Sequence, residues 1–262
     1  MTIKQEAINW HYKKLKTYPN IENPTSYNDK IQWLKIYDQD PDHVTCCDKI
    51  LVKDYVANII GKEYIIPNTT DYPAVWKANN GSGGIQFVNS KDDEATALEN
   101  IQPLLKKVYG KNKGEWAYRL ITPKIVKEKR IDNDDVDYKF HCCNGEVKWL
   151  QMIWDRYSGN TKESNIDPNG IPMPWHFDEK MTHVEVPPRC GLDKFFKMKS
   201  IAEHLSKKWK YVRVDLYWGK EQPWFGELTF WPKAGCYKTL DQVKFGKLLD
   251  FDINTTKPAV IE

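Results

Sequence analysis

Residues 74–88 read Ala74-Val-Trp-Lys77-Ala-Asn-Asn-Gly81-Ser82-Gly83-Gly84-Ile-Gln-Phe-Val88. Two short apolar runs flank three glycines and a serine, so the pattern is strand, flexible loop, strand. Backbone N–H groups in such a loop can approach an anion closely, and Lys77 on the preceding strand adds a point charge. Phosphate is the natural guest. The lysine precedes the glycines, so the GxxxxGK[ST] order of a P-loop is absent. On its own the segment reads equally as a phosphate site or a plain hairpin turn.

N-terminal to this loop the chain is helical. Ile3, Ala7, Trp10 and Leu15 fall at helical spacing, and Ser26-Tyr-Asn-Asp29 is a capping-box start for a helix reaching about Asp38. A third helix follows Asp48 and stops at Gly61. C-terminal to the loop, a charged helix is predicted over 92–109 and a buried strand at Ile125-Val126. A hairpin spans 137–154 with its turn at Asn144-Gly145. Residues 155–190 hold five prolines and little periodicity, which predicts either a long ordered excursion or a mobile loop. A helix over 193–208, strands over 211–218 and 224–230, and a helix near 240–249 complete an α+β pattern.

The two last strands carry the second chemical signal. Period-2 alternation puts Arg213, Asp215 and Tyr217 on one face and Glu227 and Thr229 on one face of the next strand. Two carboxylates facing one pocket repel unless a cation lies between them, and carboxylates plus phosphate oxygens are the usual magnesium shell. Arg213 beside them can neutralise a transferring phosphoryl group. The competing reading is a surface ladder of charges.

Composition bounds the function. The 262 residues carry a formal net charge of +3 without a basic tail, which argues against a dedicated nucleic-acid binder. No apolar run approaches the length of a membrane-spanning helix, and residues 1–10 lack the apolar core of a secretion signal, so a cytoplasmic protein is expected. Cys46/Cys47 and Cys142/Cys143 are adjacent pairs, Cys190 and Cys236 stand alone, and reduced structural thiols are the expectation. Aromatic residues make up 13%. Trp33, Trp76 and Trp149 fall inside predicted elements and read as core, whereas Trp154, Trp175 and Trp231 read as candidates for sugar contact. His141 reads as a packed strand residue, and His176 and His183 as solvated surface.

A lysine-flanked glycine loop, Glu128 after an apolar strand and a terminal Asp/Glu pair together suit a magnesium–nucleotide enzyme. The chain resembles the ATP-grasp superfamily, specifically its teichuronopeptide-biosynthesis, TupA-like branch. The matching blocks are Pro24–Asp38, Trp76–Gly84, Asp137-Tyr-Lys-Phe140 with Asn144-Gly-Glu-Val-Lys148, Asp155-Arg156, Val212–Tyr217 and Phe225–Phe230. They keep their order from about 24 to 235.

The resemblance implies two α+β subdomains gripping a nucleotide: a helical segment over 1–70, a lid with the glycine loop over 71–130, and a core with metal-binding strands over 131–262. It implies ATP contacts from Lys77, Gly81, Ser82, Gly83 and Gly84, with Glu128 at the adenine and ribose. It places Lys139 at the phosphates, Arg213 beside the reacting phosphate, and Mg2+ on Asp215, Glu227 and Thr229. Asp155 and Arg156 are expected at the substrate, Arg156 as a bidentate carboxylate clamp or both as simple ion pairs.

Thr229 stands where the superfamily commonly has Asn, and Pro232-Lys233 where relatives read Pro-Gly. The 65 helical residues are too few for the α/β domain that precedes many ATP-grasp cores. The expected activity is an ATP- and Mg2+-dependent carboxylate–amine ligase working on a uronic acid or amino acid in cell-surface polysaccharide biosynthesis. The alternatives are a glycosyltransferase-like enzyme that takes a nucleotide sugar, and a binding protein with a vestigial site. The partners implied are a nucleotide and a carboxylate or saccharide acceptor.

Overall fold

The computed structural model describes residues 1–261. Four helices lead the chain: α1 (Ile3–Leu15), α2 (Tyr27–Tyr37), α3 (Asp42–Cys47) and α4 (Leu51–Ile60). The predicted capping box is present, since Ser26 Oγ accepts from Asp29 N at 3.1 Å and Asp29 Oδ2 accepts from Ser26 N at 3.1 Å. Short α3 is an addition to the sequence reading. Its six residues are too few to show a period.

A small antiparallel sheet follows, in the order β2-β1-β3, from β1 (Ala74–Ala78), β2 (Gln86–Val88) and β3 (Ile125–Lys129). Helix α5 (Glu94–Lys106) covers it, and Ala97 and Ile101 pack with Ala74, Trp76, Ala78 and Val88 in a core of their own. A larger sheet contains β4 (Asp137–Cys143), β5 (Glu146–Trp154), β6 (Lys162–Ile166), β7 (Pro172–Met173), β8 (Thr182–His183), β9 (Val212–Trp218) and β10 (Pro223–Thr229). Its order is β10-β9-β4-β5-β6-β7, with β8 pairing parallel to β6. The β4–β5 hairpin turns at Asn144 (φ 52°) and Gly145 (φ 85°), the two positive φ values a type I′ turn requires. The excursion over 155–190 is ordered, because it supplies β6, β7 and β8.

Alternation gives the larger sheet two faces. Tyr138, Phe140, Cys142, Val214 and Leu216 face helix α6 (Leu192–Ser206), whose Phe195, Met198 and Ala202 complete that layer. The opposite face carries Lys139, His141, Arg213, Asp215, Gln151 and Asn165. Tyr27 of α2 covers one end of it, touching His141, Trp149, Phe177, Tyr211 and Tyr237 edge-on. Burial of such rings dominates core energetics.

Strand β10 breaks its alternation once. Phe225 pairs with Leu216 but Glu227 pairs with Asp215, leaving Gly226 as the extra residue of a β-bulge. The bulge puts Phe225 on the core face and Glu227 on the polar face.

After β10, a short turn (Pro232–Gly235) runs through left-handed backbone at Lys233 (φ 52°) and Ala234 (φ 53°). Fully buried Lys35 of α2 holds it, donating to Ala234 O at 2.7 Å, Lys113 O at 3.0 Å and Gln32 Oε1 at 3.0 Å. Helix α7 (Gln242–Leu248) packs beside α2. All six cysteines are free. Burial pushes the thiols of Cys46, Cys47, Cys142 and Cys143 up, so they are structural as expected.

Two of the tryptophans read as sugar contacts are core. Trp154 is 5% exposed, and Trp231, 3% exposed, packs against His43, Trp116 and Tyr118. Only half-buried Trp175 keeps surface, and it leans on Phe245. His176 keeps its surface position, with a 40% exposed side chain whose Nε2 meets the carbonyls of Asp178 and Met181, whereas His183 departs from the solvated reading, since both its nitrogens are buried.

Candidate nucleotide and metal site

The site builds outward from Asp215. Arg213 grips this carboxylate bidentately, Nε to Oδ1 at 2.6 Å and Nη2 to Oδ2 at 2.7 Å, and Lys139 Nζ donates to the same Oδ2. Burial alone would push the Asp215 carboxyl up; Arg213 and Lys139 outweigh it and hold the group below the ordinary carboxylate range. Thr229 Oγ1 accepts from Arg213 at 3.0 Å and donates to Glu227 Oε1 at 2.6 Å. Glu227 lies directly across from Asp215. Burial works to raise its carboxyl too, and Lys49, Arg213 and the Thr229 hydroxyl more than offset this.

Two adjacent carboxylates and a hydroxyl, all hard oxygen donors, fit Mg2+, which binds through one or two carboxylates and completes its shell with water and phosphate. Among the described residues no group of three or more His, Cys, Asp or Glu side chains could hold a metal ion, so a closed all-protein cage is absent.

Lys77 and Glu128 meet across β1 and β3. Lys77 Nζ lies 2.5 Å from Glu128 Oε2, and Lys53 of α4 lies 2.8 Å from Oε1. Burial opposes the Glu128 charge, but the two ammonium groups keep its carboxyl lowered. Lys49, Lys53, Ile65, Ile66, Lys77 and Phe225 are among the residues lining the cleft between this cluster and β10.

The glycine loop is anchored at its root, where Asn79 Oδ1 accepts from Lys124 N at 2.7 Å and Asn79 Nδ2 donates to Thr122 O at 3.1 Å. Gly83 (φ 87°) and Gly84 (φ 71°) take left-handed backbone that only glycine adopts freely. Lys49 ties the loop to the carboxylates: its Nζ donates to Gly81 O and stands 4.0 Å from Glu227 Oε2.

The structure thus brings Arg213, Lys139, Asp215, Glu227 and Thr229 together in one cluster, and Lys77 with Glu128 in a second, linked through Lys49 and Lys53. It places Asp155 and Arg156 at the exposed end of β5. There Asp155 pairs with Lys162 at 2.9 Å and Arg156 pairs with Asp137, the simple ion-pair form of the expectation. The sequence reading missed Lys49 and Lys53. Lys53 lies in the first turn of α4 and Lys49 in the turn just before it, and no local pattern singles either out.

Two sheets, a glycine loop carried by the smaller one and a carboxylate pair on edge strand β10 and its neighbour β9 of the larger define an ATP-grasp protein. The family model described as TupA-like ATPgrasp matches residues 29–250, and the chain belongs to that family. A search of curated proteins returns no match. Among solved structures, D-alanine–D-alanine ligase from Bacillus anthracis is similar at 16% identity and TM-score 0.43, over 71% of this chain and 57% of that one. An L-amino acid ligase from Bacillus licheniformis is similar at 12% identity and TM-score 0.46, over 73% and 44%. D-alanine–D-alanine ligase from Helicobacter pylori gives 13% identity and TM-score 0.47, over 86% and 69%. The chain spans about half the length of the first two.

Proposed function

We propose that this protein is an ATP- and Mg2+-dependent carboxylate–amine ligase. The observation that carries the reading is the convergence of three cations, Lys49, Lys139 and Arg213, on a glycine loop and a carboxylate pair, with Lys77 held by Glu128 on the strand that leads into the loop. Bound Mg2+ would supply charge neutralisation between Asp215, Glu227 and the phosphate oxygens. Lys77 and the loop N–H groups bind the phosphates. Arg213 and Lys139 stabilise charge on the γ-phosphoryl group as the acceptor carboxylate attacks it, the β–γ bond breaks and ADP leaves. The acyl phosphate is then attacked by a neutral amine; the C–N bond forms, phosphate departs, and the amine proton passes to solvent. Closure of the 71–130 unit over the 131–262 unit would exclude water from that intermediate.

On this reading Glu128 holds the ribose end of the nucleotide and Arg156, once released from Asp137, meets the acceptor carboxylate. The acceptor belongs to the uronic acids or amino acids of cell-surface polysaccharide precursors, handled in the cytoplasm. No helix of the described residues is long and apolar enough to cross a membrane.

Thermal-shift titration tests the donor. ATP·Mg2+ should raise the melting temperature in proportion to the logarithm of its concentration. A response to nucleotide sugars with none to ATP would replace the ligase by a glycosyltransferase-like enzyme. Lys49→Met should weaken ATP·Mg2+ binding about tenfold, the effect of about 1.4 kcal/mol. An unchanged titration would show that the tie between loop and carboxylate is structural only.

A further inference from the structure

Two lysines share the Glu128 carboxylate, and the rest of their surroundings differ. Lys53 stands 2.8 Å from Oε1 and Lys77 stands 2.5 Å from Oε2. The three side chains are withdrawn from solvent, Glu128 at 7% exposure, Lys53 at 12% and Lys77 at 14%. A carboxylate this buried needs at least one cation, because stripping its partner strands a charge at high cost. Glu128 has two.

Lys53 is saturated. An ammonium has three donors, and three acceptors surround this one: Ile66 O at 2.9 Å, Asn68 Oδ1 at 2.7 Å and Glu128 Oε1. Nothing is left for a ligand. Lys77 has Glu128 as its one ion-pair partner among the described residues and keeps donors in hand.

Backbone fixes the position of Lys53. Val52 and Val56 bury one side of α4, and Lys53, about 100° round from Val52, lines the cleft with Lys77 and Phe225. Its partners Ile66 and Asn68 belong to a connector over 65–69 that touches both sheets. Ile65 bridges to Phe225 of β10 and Asn68 to Glu128 of β3, while Thr69 N donates to Lys127 O at 3.1 Å and Lys129 N to Pro67 O at 2.9 Å. The ammonium therefore stays on Glu128 whatever Lys77 does.

We propose that Lys53 is a positioning residue for nucleotide binding: it retains the Glu128 carboxylate so that Lys77 can exchange that carboxylate for a phosphate. This builds on the ligase reading, in which Lys77 meets the phosphates and Glu128 the ribose. As Lys77 turns to the phosphates, Oε2 becomes free to accept from a ribose hydroxyl. Oε1 remains on Lys53, so no charge is stranded. Without Lys53 the carboxylate has only Lys77, and phosphate must compete with a buried ion pair for it.

A double-mutant cycle, read by calorimetric titration of the full chain with ATP·Mg2+ and separately with inorganic tripolyphosphate and Mg2+, tests this. Lys53→Met should weaken both ligands about tenfold, the scale of one charge-assisted hydrogen bond. Lys53→Arg should recover most of that loss, because the charge returns. In a Glu128→Gln background there is no carboxylate to hold, and Lys53→Met should then cost less than about twofold, the error of additivity for uncoupled sites. If Lys53→Met fails to fold, Lys53→Gln, which keeps a donor for Ile66 O and lacks the charge, carries the same cycle. A cost that persists undiminished in the Glu128→Gln background would make Lys53 a direct ligand or a purely structural residue and overturn the assignment. A loss confined to ATP, with tripolyphosphate unaffected, would also overturn it, because Lys77 would then not be the group released. Failure of the wild type to bind ATP·Mg2+ would instead remove the ligase reading, while tripolyphosphate still reports on the exchange at Lys77.

Discussion

Asp215→Asn is expected to lower ADP formation about a thousandfold, the scale on which removing one well-placed electrostatic partner acts. The substitution keeps the side-chain shape and removes the charge that both Arg213 and Lys139 hold. A coupled ADP assay with carboxylate and amine panels reads the effect, and turnover within tenfold of wild type would remove Asp215 from the metal site. The same substitution changes the acid limb of stability. A carboxyl lowered on folding stabilises the native state fully above its unfolded pKa of about 3.9, and that contribution is lost as pH falls through the lower native value. Wild type and variant should therefore converge in acid. Because the variant leaves two cations facing a neutral amide, its melting temperature at pH 7 should also drop.

Lys35→Met should cost about 2–4 kcal/mol of folding free energy, because Lys113 O and Gln32 Oε1 lose the Lys35 donor and Ala234 O keeps only its bond from Gln32 Nε2. Denaturant titration would show it as a lower midpoint at unchanged slope, and a midpoint within experimental error of wild type would show that Lys35 does not hold the turn at 233–234. The pH dependence has a definite sign. Burial lowers the Lys35 ammonium to about 8 against the opposing pull of Glu115. Between pH 8 and the unfolded value of about 10.4, the unfolded chain keeps a proton that the native one has released. Native stability therefore rises through that window in the wild type relative to the variant.

What could be read from sequence had local causes. The glycine loop, the Ser26 capping box and the Asn144-Gly145 turn each follow from residues a few positions apart, whose backbone preferences act without help from the rest of the chain. Asp215 and Glu227 were legible because strand alternation assigns faces within each run.

Lys49 and Lys53 were not, because a helical period marks the buried side of α4 and says nothing about which of 39 basic side chains meets a distant loop. Gln151 and Asn165 depend on the register between β5 and β6, and β6 lies in the proline-rich stretch where no alternation shows. Trp231 was misjudged for a related reason: adjacency to a turn in sequence carries no information about solvent, and its surroundings come from α3 and from residues 116–118.

The bulge at Gly226 makes β10 a strand with two phases. Upstream of it, odd-numbered positions belong to the core; downstream, odd-numbered positions belong to the chemistry. A Cβ on Gly226 would lie 2.8 Å from the Tyr217 ring and 3.0 Å from the Asp215 carbonyl oxygen. The residue that changes the phase therefore also leaves no slack above the carboxylate it serves, so drift in this short run is confined from both sides: by reading frame along the strand and by clearance across it.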